Sequence, residues 1–360
     1  MAISSLTNFF EAKLEVYFCD FCGHLQTKKV NNLEEYYKHS YNILIDSDEE
    51  DQLYVAKDGT TSFRLAYQAD IFLEKIKPKK NTRLLDYGCA KAATLKKIVR
   101  IRNDIIPFCY DLSYAYQAFW KGSIQEKNCF IGNIPSYLNG SFHYVTSFFS
   151  LEHTDVPRQF IRDVYRLLDN DGIFLCVVPN IFKNFADLLV IDHISHFTSL
   201  SLSYLFYLEG FEILDYDSSI YNSALVITAR KKPRISLKQS TTVFELKKEI
   251  IEIVDFWKNF NKKIISVSDF YDAEKTAIYG SGFYGAYLSL FLQKKPRYFL
   301  DQNPSRQGKC LFDIPIISPK DMPETIETIF VGLNPVNAKS SIEKSSLAFH
   351  ENLHFIYIDP

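Results

Sequence analysis

The polar run from Asp192 to Thr198 contains residues well suited to moving a proton. It places Asp192 directly before His193, and a second histidine, His196, follows. An imidazole accepts a proton near neutral pH, and a neighbouring carboxylate can orient the ring and stabilise its charged form. The run therefore predicts an acid–base pair in which His193 is the base and Asp192 orients it. The alternative is a polar loop that caps the helix expected from about Ser201.

A second candidate for proton transfer is the pair Glu152 and His153. It belongs to the segment FSLEH, which starts at Phe149 on the last residue of an apolar run that predicts a strand. Residues that follow a strand of an open α/β sheet face the ligand of that sheet. We therefore predict that Phe149 lines a cofactor. For Glu152 and His153, cofactor lining or helix capping is as good an interpretation as catalysis.

The stretch from Arg83 to Leu95, RLLDYGCAKAATL, has the features of a cofactor-binding loop. A short apolar strand ends at Asp86, small residues that include Gly88 and Ala90 turn the chain, and a helix follows. Small residues let the backbone approach a ligand closely, and the free N–H groups of the first helical turn face it. The stretch predicts the opening of an S-adenosylmethionine (SAM) site.

Polar side chains also end the next two predicted strands. Asp111 is placed to accept hydrogen bonds from both hydroxyls of a ribose, and Asn133 is placed to meet an adenine amine. One aspartate at a strand end means little, because turns favour that residue. Together with Asp86, however, these residues occupy three successive strand ends, and this favours a SAM site.

Two alanines, Ala90 and Ala92, stand where glycines are usual in such a loop. Alanine does not readily adopt a positive φ angle. We therefore expect ordinary backbone dihedrals at both positions, or a cofactor that lies slightly further from the loop.

A CxxCG turn at Cys19 and Cys22 has the shape of a zinc knuckle. Zinc usually needs four ligands, no second CxxC follows, and the nearby candidates for the missing ligands are His24 and His39. We therefore favour a region without zinc over an occupied zinc site.

Strands alternate with helices from residue 61 to residue 232, which predicts a parallel sheet covered on both faces. The last two strands, 211–216 and 223–229, have no helix between them, so we expect an antiparallel hairpin at one edge. This seven-strand order is similar to the class I, Rossmann-like methyltransferase fold. A linker at 231–234 leads to a second, smaller α/β unit, in which 302–323 is expected to be a loop. The predicted domains are a zinc-knuckle-like region at 1–60, a SAM-binding domain at 61–232 and a C-terminal Rossmann-like domain at 233–360.

The second unit contains a glycine-rich turn, GSGFYG, in which Gly280, Gly282 and Gly285 are followed by Asp301 about twenty residues later. This spacing satisfies the dinucleotide-binding fingerprint. An NAD-dependent oxidoreductase is therefore an alternative function. We rank it lower because little chain follows the turn and no catalytic cluster accompanies it.

Composition excludes several classes of protein. A chain of 360 residues with a formal net charge of −2 suggests two or three domains and gives no electrostatic reason to expect nucleic acid or an anionic membrane as a partner. The seven scattered cysteines do not form a disulfide framework. Neither a signal peptide nor a membrane-spanning segment is evident, so we expect a cytoplasmic protein. The oligomeric state is not indicated.

The order of the motifs resembles the sugar C-methyltransferase family, whose members methylate nucleotide-linked keto-deoxysugars. The motifs are CxxCG, LLDYGC, SLEH, DGIFLCVVPN, DHISHFT, GFEI, YGSGFYGA, FLDQNPSRQGK and IPIISP. The resemblance implies SAM as methyl donor and a nucleotide-linked sugar as acceptor. It also places Asp192 and His193 at the position of the family's proton-abstracting pair. The first CxxC of the family is absent, so its four-thiolate zinc site is incomplete here.

The predicted substrate-binding residues are Tyr41, His196, Gly280, Gly282 and Asp301. For Tyr41, core packing is an equal alternative. The family carries a similar glycine-rich unit, which implies contact with the substrate's nucleotide or closure of the active site. A sugar O-methyltransferase remains an alternative, because the same histidine could deprotonate a hydroxyl. A sugar-nucleotide-binding protein without turnover is a further alternative, suggested by the alanines in the cofactor loop.

Overall fold

The structure is a computed structural model that describes most of the chain. The described residues are 2–29, 36, 50–55, 61–232, 242–267, 270–349 and 352–357. The chain divides into two compact units. One consists of Ala12–Lys183 with Ile191–Lys247, and the other of Met1–Glu11, Asn184–Val190 and Lys248–Pro360. The predicted domain boundary at 232/233 adjoins residues outside the described ones.

A seven-stranded sheet forms the centre of the first unit. Its strands, in chain order, are β1 (Arg83–Tyr87), β2 (Ile106–Asp111), β3 (Cys129–Ile131), β4 (Phe142–Phe148), β5 (Leu168–Pro179), β6 (Phe211–Asp217) and β7 (Ala224–Lys231). Their spatial order is β6-β7-β5-β4-β1-β2-β3. Strands β1 to β5 are parallel, and β7 pairs antiparallel with both β5 and β6. The predicted α/β sheet with an antiparallel edge hairpin is confirmed.

Both faces of this sheet are buried, as expected for parallel strands. Adjacent residues of one strand, such as Leu84 and Leu85, belong to separate apolar clusters because successive side chains point to opposite faces. The helices of this unit are α1 (Arg64–Ile76), α2 (Ala93–Ile101), α3 (Gln117–Trp120), α4 (Pro157–Leu167) and α5 (Ser199–Leu208).

Local sequence explains where two of these helices start. Helix α4 begins with Pro157, whose missing N–H is not needed in the first turn. Before α5, Thr198 Oγ1 accepts a hydrogen bond from Ser201 N (3.1 Å), and Ser201 Oγ accepts one from Thr198 N (3.0 Å). This capping box accounts for the polar residues at the end of the 192–198 run.

The second unit contains a six-stranded sheet. Its strands are β8 (Thr276–Tyr279), β9 (Tyr298–Leu300), β10 (Cys310–Leu311), β11 (Ile314–Ile317), β12 (Thr328–Val331) and β13 (His354–Tyr357), in the spatial order β10-β11-β9-β8-β12-β13. The expectation of a loop over 302–323 is therefore wrong for β10 and β11. Proline cannot donate a hydrogen bond to a sheet, so Pro315 argues against a strand in the sequence. The structure nevertheless pairs Ile316 of β11 with Phe299 of β9.

The remaining described elements are three helices and several strands of two or three residues. The other helices are α6 (Val243–Val267), α7 (Phe283–Phe291) and α8 (Ala338–Glu343). Short strands pair Ala2–Ile3 with Phe9–Phe10, Leu25–Thr27 with both Val16–Phe18 and Ser195–His196, and Leu53–Val55 with Thr61–Phe63. Among the described helices, none combines the length and the apolar character needed to cross a membrane.

Candidate active site

Asp111 connects the end of β2 to the loop after β1. Its Oδ2 accepts a hydrogen bond from Ala90 N (2.8 Å), and its Oδ1 accepts one from Ser113 N (2.9 Å). Burial raises the pKa of Asp111, while these backbone bonds act in the opposite direction. Each oxygen keeps a further lone pair for a hydroxyl donor, so the side chain fits a ribose. Asn133, after β3, is exposed at the same edge of the sheet.

Asp86 lies beneath the loop and is 3% exposed. Thr146 Oγ1, from the adjacent strand β4, donates to Asp86 Oδ1 (3.0 Å). Burial, with a smaller contribution from the charge of Asp111, raises the pKa of Asp86 to about 7. The carboxyl group therefore joins two strands of the sheet, and direct contact with a cofactor remains a prediction.

Three residues of the loop between β1 and α2 have left-handed backbone conformations. The φ angles are 81° at Gly88, 46° at Ala90 and 54° at Ala92. The expectation of ordinary dihedrals at the two alanines is therefore wrong. The conformation of Ala90 is held from both sides, because Trp120 Nε1 donates to its carbonyl oxygen (2.8 Å) and Asp111 accepts from its N–H. These buried partners offset a backbone cost of about 1–2 kcal/mol per residue.

Gly88 also lies against the segment that follows β4. A Cβ at this position would be 2.1 Å from Ser150 Oγ. The preceding residue, Phe149, has a φ of 53°, and its N–H donates to Val177 O (2.8 Å). The loop between β1 and α2, residues 88–92, is called the cofactor loop below after its predicted role. It is therefore adjacent to the FSLEH segment at one edge of the sheet.

The FSLEH segment also contacts the 192–198 run. Ile194 N donates to Glu152 O (2.9 Å), and His153 Nδ1 lies 3.1 Å from Asp192 O. A carbonyl oxygen only accepts, so this hydrogen bond requires a proton on Nδ1 of His153. The rings of His153 and His193 meet edge to face, with centroids 4.8 Å apart. The structure thus brings Glu152 and His153 into the site predicted for Asp192 and His193.

The carboxylate of Asp192 also lies near His153, with Oδ2 4.0 Å from Nδ1. Asp192 is fully buried, and His193 is 8% exposed. One ligand atom from each of Glu152, His153 and His193 lies within 4.8 Å of the others, and no other set of three possible metal ligands in the described part of the chain is as compact. From the sequence alone, Glu152 and His153 have alternative roles, although the tripeptide LEH directly after a strand is a signal that points to this site.

His196 is placed inside a small sheet. Ser195–His196 pairs antiparallel with Leu25 and Gln26, and His196 Nε2 lies 2.8 Å from Thr27 Oγ1. The histidine is completely buried. Its contact to Thr27 gives it a packing role, and its contact with a substrate remains a prediction.

Cys19 and Cys22 form a tight turn. Gly23 N donates to Cys19 O (2.9 Å), and Cys19 N donates to His24 O (2.8 Å). Backbone N–H groups of Cys22 and Phe21 lower the pKa of Cys19, whereas burial raises that of Cys22. Within the described residues, neither cysteine belongs to a group of three possible metal ligands, and the absence of zinc remains a prediction. His39 and the predicted substrate residue Tyr41 lie outside the described residues.

The glycine-rich turn of the second unit has the geometry of its fingerprint. Gly280 has a φ of 96°, and a Cβ on it would be 2.7 Å from Gly332 O. A Cβ on Gly285 would be 1.9 Å from Gly280 O, whereas a Cβ on Gly282 would meet nothing within 4 Å. Gly280 therefore allows the turn to lie against the segment that follows β12, and Gly285 allows α7 to lie against the turn, whereas Gly282 faces open space.

Asp301 is bound to this turn. Its Oδ2 accepts hydrogen bonds from Ser281 N (2.9 Å) and Ser281 Oγ (2.5 Å), and its Oδ1 accepts one from Asn303 N (2.8 Å). Asp301 thus holds the turn in place, and its contact with a nucleotide remains a prediction.

Comparisons with known proteins concern the first unit. Residues 63–216 match a family model described as a methyltransferase domain. A search of curated protein sequences gives no match.

Three solved structures illustrate the structural likeness. A Mesorhizobium loti SAM-dependent methyltransferase is 14% identical, with 45% of this chain and 97% of that chain covered and a TM-score of 0.38. A Burkholderia thailandensis 1,6-didemethyltoxoflavin-N1-methyltransferase with bound S-adenosylhomocysteine is 17% identical, with 46% and 78% covered and a TM-score of 0.36. The [4+2]-cyclase SpnF is 18% identical, with 51% and 87% covered and a TM-score of 0.41. These likenesses say nothing about chemistry or substrate.

Proposed function

We propose that residues 63–216, which match a methyltransferase-domain model, use SAM to methylate a sugar carried by a nucleotide. The observation that carries the proposal is the polar cluster of Asp192, His193, His153 and Glu152. Glu152 and His153 of this cluster belong to the FSLEH segment, and Ser150 of the same segment lies against the cofactor loop at Gly88. The order of motifs along the chain supports a nucleotide-linked keto-deoxysugar as the acceptor.

The cofactor side of the site follows from the strand ends. Asp111 has the acceptor oxygens for a ribose, and the loop at Gly88 and Ala90 brings backbone close to a ligand. SAM supplies a methyl group bound to a positively charged sulfur, which is already electrophilic. The task of the chain is therefore to align a nucleophile with that methyl group and to remove a proton.

On the acceptor side, we propose His193 as the base. It removes a proton from the carbon next to the ketone, and the electron pair of that C–H bond forms an enolate whose carbon accepts the methyl group. Asp192 stabilises the positive charge that the cluster gains, because its buried carboxylate lies beside the histidines. Nearby N–H and O–H donors would stabilise the enolate oxygen.

Contacts with the acceptor are proposed for residues of each unit separately. Within the first unit, Tyr41 and His196 would contact the sugar. In the second unit, Gly280, Gly282 and Asp301 are proposed to contact a nucleotide. All seven cysteines are free, which agrees with a reducing compartment such as the cytoplasm.

A methyl-transfer screen tests the proposal. The enzyme is incubated with SAM and a panel of nucleotide-linked keto-deoxysugars, and products are followed by mass spectrometry. We expect one sugar nucleotide to gain a single methyl group, and NMR to place it on carbon. Methyl attached to oxygen would instead indicate the O-methyltransferase. Transfer only to acceptors without a sugar would contradict the proposal.

A further inference from the structure

Arg64, the first residue of α1, has a buried N–H donor that no described residue accepts from. Its Nη1 donates to Gln52 Oε1 (2.6 Å). Its Nε is inaccessible to solvent and has no hydrogen-bond partner among the described residues. A buried N–H donor without a partner costs about 1–3 kcal/mol, so such a group indicates a missing acceptor.

The guanidinium lies beside the cofactor loop. Its central carbon is 4.1 Å from the ring centre of Phe149, the residue that directly follows β4. The next residue, Ser150, is the one that a Cβ on Gly88 would strike. Arg64 and the cofactor loop therefore both lie against the start of the FSLEH segment, Arg64 at Phe149 and the loop at Ser150.

No carboxylate of the described residues forms an ion pair with Arg64 within 4.0 Å. Asp51 is near enough for the charge of Arg64 to lower its pKa, although burial acts more strongly and raises it. Both oxygens of Asp51 already accept backbone hydrogen bonds, from Gln52 N (2.7 Å) and Leu65 N (3.0 Å). When Nη1 of a guanidinium is already bonded, Nε and Nη2 can still donate two parallel hydrogen bonds to the two oxygens of a carboxylate.

We propose that Arg64 binds the carboxylate of the methionine portion of SAM. The neighbouring strands at this part of the sheet are β4, β1 and β2 in that order. Asp111 ends β2, the cofactor loop follows β1, and Phe149 follows β4. A ligand whose ribose is at Asp111 and that extends across the loop reaches β4 after two strand spacings, about 10 Å. Its amino-acid end then lies near the guanidinium of Arg64, whose Nε has no hydrogen-bond partner among the described residues.

This inference concerns the methyl donor and holds for any acceptor, so failure of the sugar proposal would leave its test intact. The test compares two ligands by calorimetric titration of the full chain. S-adenosylhomocysteine carries the carboxylate, and 5′-methylthioadenosine has the same adenosine thioether without the amino-acid end. We expect Arg64→Gln to raise the Kd for S-adenosylhomocysteine by about 10- to 100-fold, which corresponds to the loss of a charge-assisted hydrogen bond. The Kd for 5′-methylthioadenosine should not change.

Two variants complete the design. Arg64→Lys keeps the positive charge but cannot donate two parallel hydrogen bonds, so its loss of S-adenosylhomocysteine affinity should be intermediate. The control is Arg100→Gln at an exposed position, which should bind both ligands like the wild type. An equal loss for both ligands, or no loss for either, would overturn the proposal. Weaker binding of a nucleoside diphosphate such as UDP with unchanged S-adenosylhomocysteine binding would also overturn it, and would assign Arg64 to the acceptor's phosphates.

Discussion

The two histidines of the cluster have different surroundings although their rings are in contact. His153 donates its Nδ1 proton to the carbonyl of Asp192, so its tautomer is determined by the backbone. His193 enters the cluster from the 192–198 run and is almost completely buried. Two imidazoles and two carboxylates this close together can hold and pass on a proton, which methyl transfer to carbon or oxygen requires.

Replacing His193 tests its role as the base. We expect His193→Asn to lower kcat for methyl transfer by about 10²- to 10⁴-fold, because the proton acceptor is lost. Binding of S-adenosylhomocysteine should not change, since the proposed cofactor contacts do not include His193. The exposed His354→Asn is the matched control and should keep full activity. Equal rates for His193→Asn and the wild type would exclude His193 as the base.

The cofactor loop is an element whose shape depends on left-handed residues. Ala90 adopts this conformation because Trp120 and Asp111 bond its carbonyl and its N–H. We expect Ala90→Gly to raise the free energy of unfolding by about 1 kcal/mol, since glycine adopts positive φ without the cost that alanine has. Ala118→Gly, inside α3, should lower it by about 1 kcal/mol. Chemical denaturation of both variants measures the difference, and destabilisation by Ala90→Gly would contradict the strained backbone.

Gly88 in the same loop has both a positive φ and no room for a side chain. Gly88→Ala should cost more than about 2 kcal/mol of stability and abolish S-adenosylhomocysteine binding, because the methyl group would overlap Ser150. Gly122 is the matched control, with a φ of 75° and nothing within 4 Å of a Cβ. Gly122→Ala should cost only about 1 kcal/mol and leave binding intact. Similar effects of the two substitutions would show that contact with Ser150 is unimportant.

The stability of the whole molecule should depend on pH through Asp86. Its pKa rises from 3.8 to about 7 on folding, chiefly because it is buried. The folded state therefore binds more protons than the unfolded state between these values. The contribution of Asp86 to stability is fully present below about pH 4 and is lost as the pH rises through about 7.

Unfolding free energies measured across this range test the effect. Asp86→Asn should lose less stability than the wild type between pH 5 and pH 8, because its side chain does not titrate. Asp70 is exposed, so the unfolding free energy of Asp70→Asn should change with pH in the same way as that of the wild type. A wild-type profile that parallels Asp86→Asn would show that Asp86 stays ionised in the folded protein.

Local patterns in the sequence are enough to predict the type of fold and the strand ends at which the predicted cofactor residues lie. Apolar runs alternating with helical patterns are local signals, and they predicted the α/β sheet with its antiparallel edge hairpin. Asp86, Asp111 and Asn133 could be placed because parallel strands end at a common edge.

Only the tertiary structure decided how these residues are held. The left-handed conformation of Ala90 depends on Trp120 and Asp111, which belong to other elements. The contact between His153 and Asp192 joins segments that are far apart in the chain. Hydrogen bonds of this kind leave no periodicity in the sequence, because each partner is an ordinary polar or small residue until folding brings the two together.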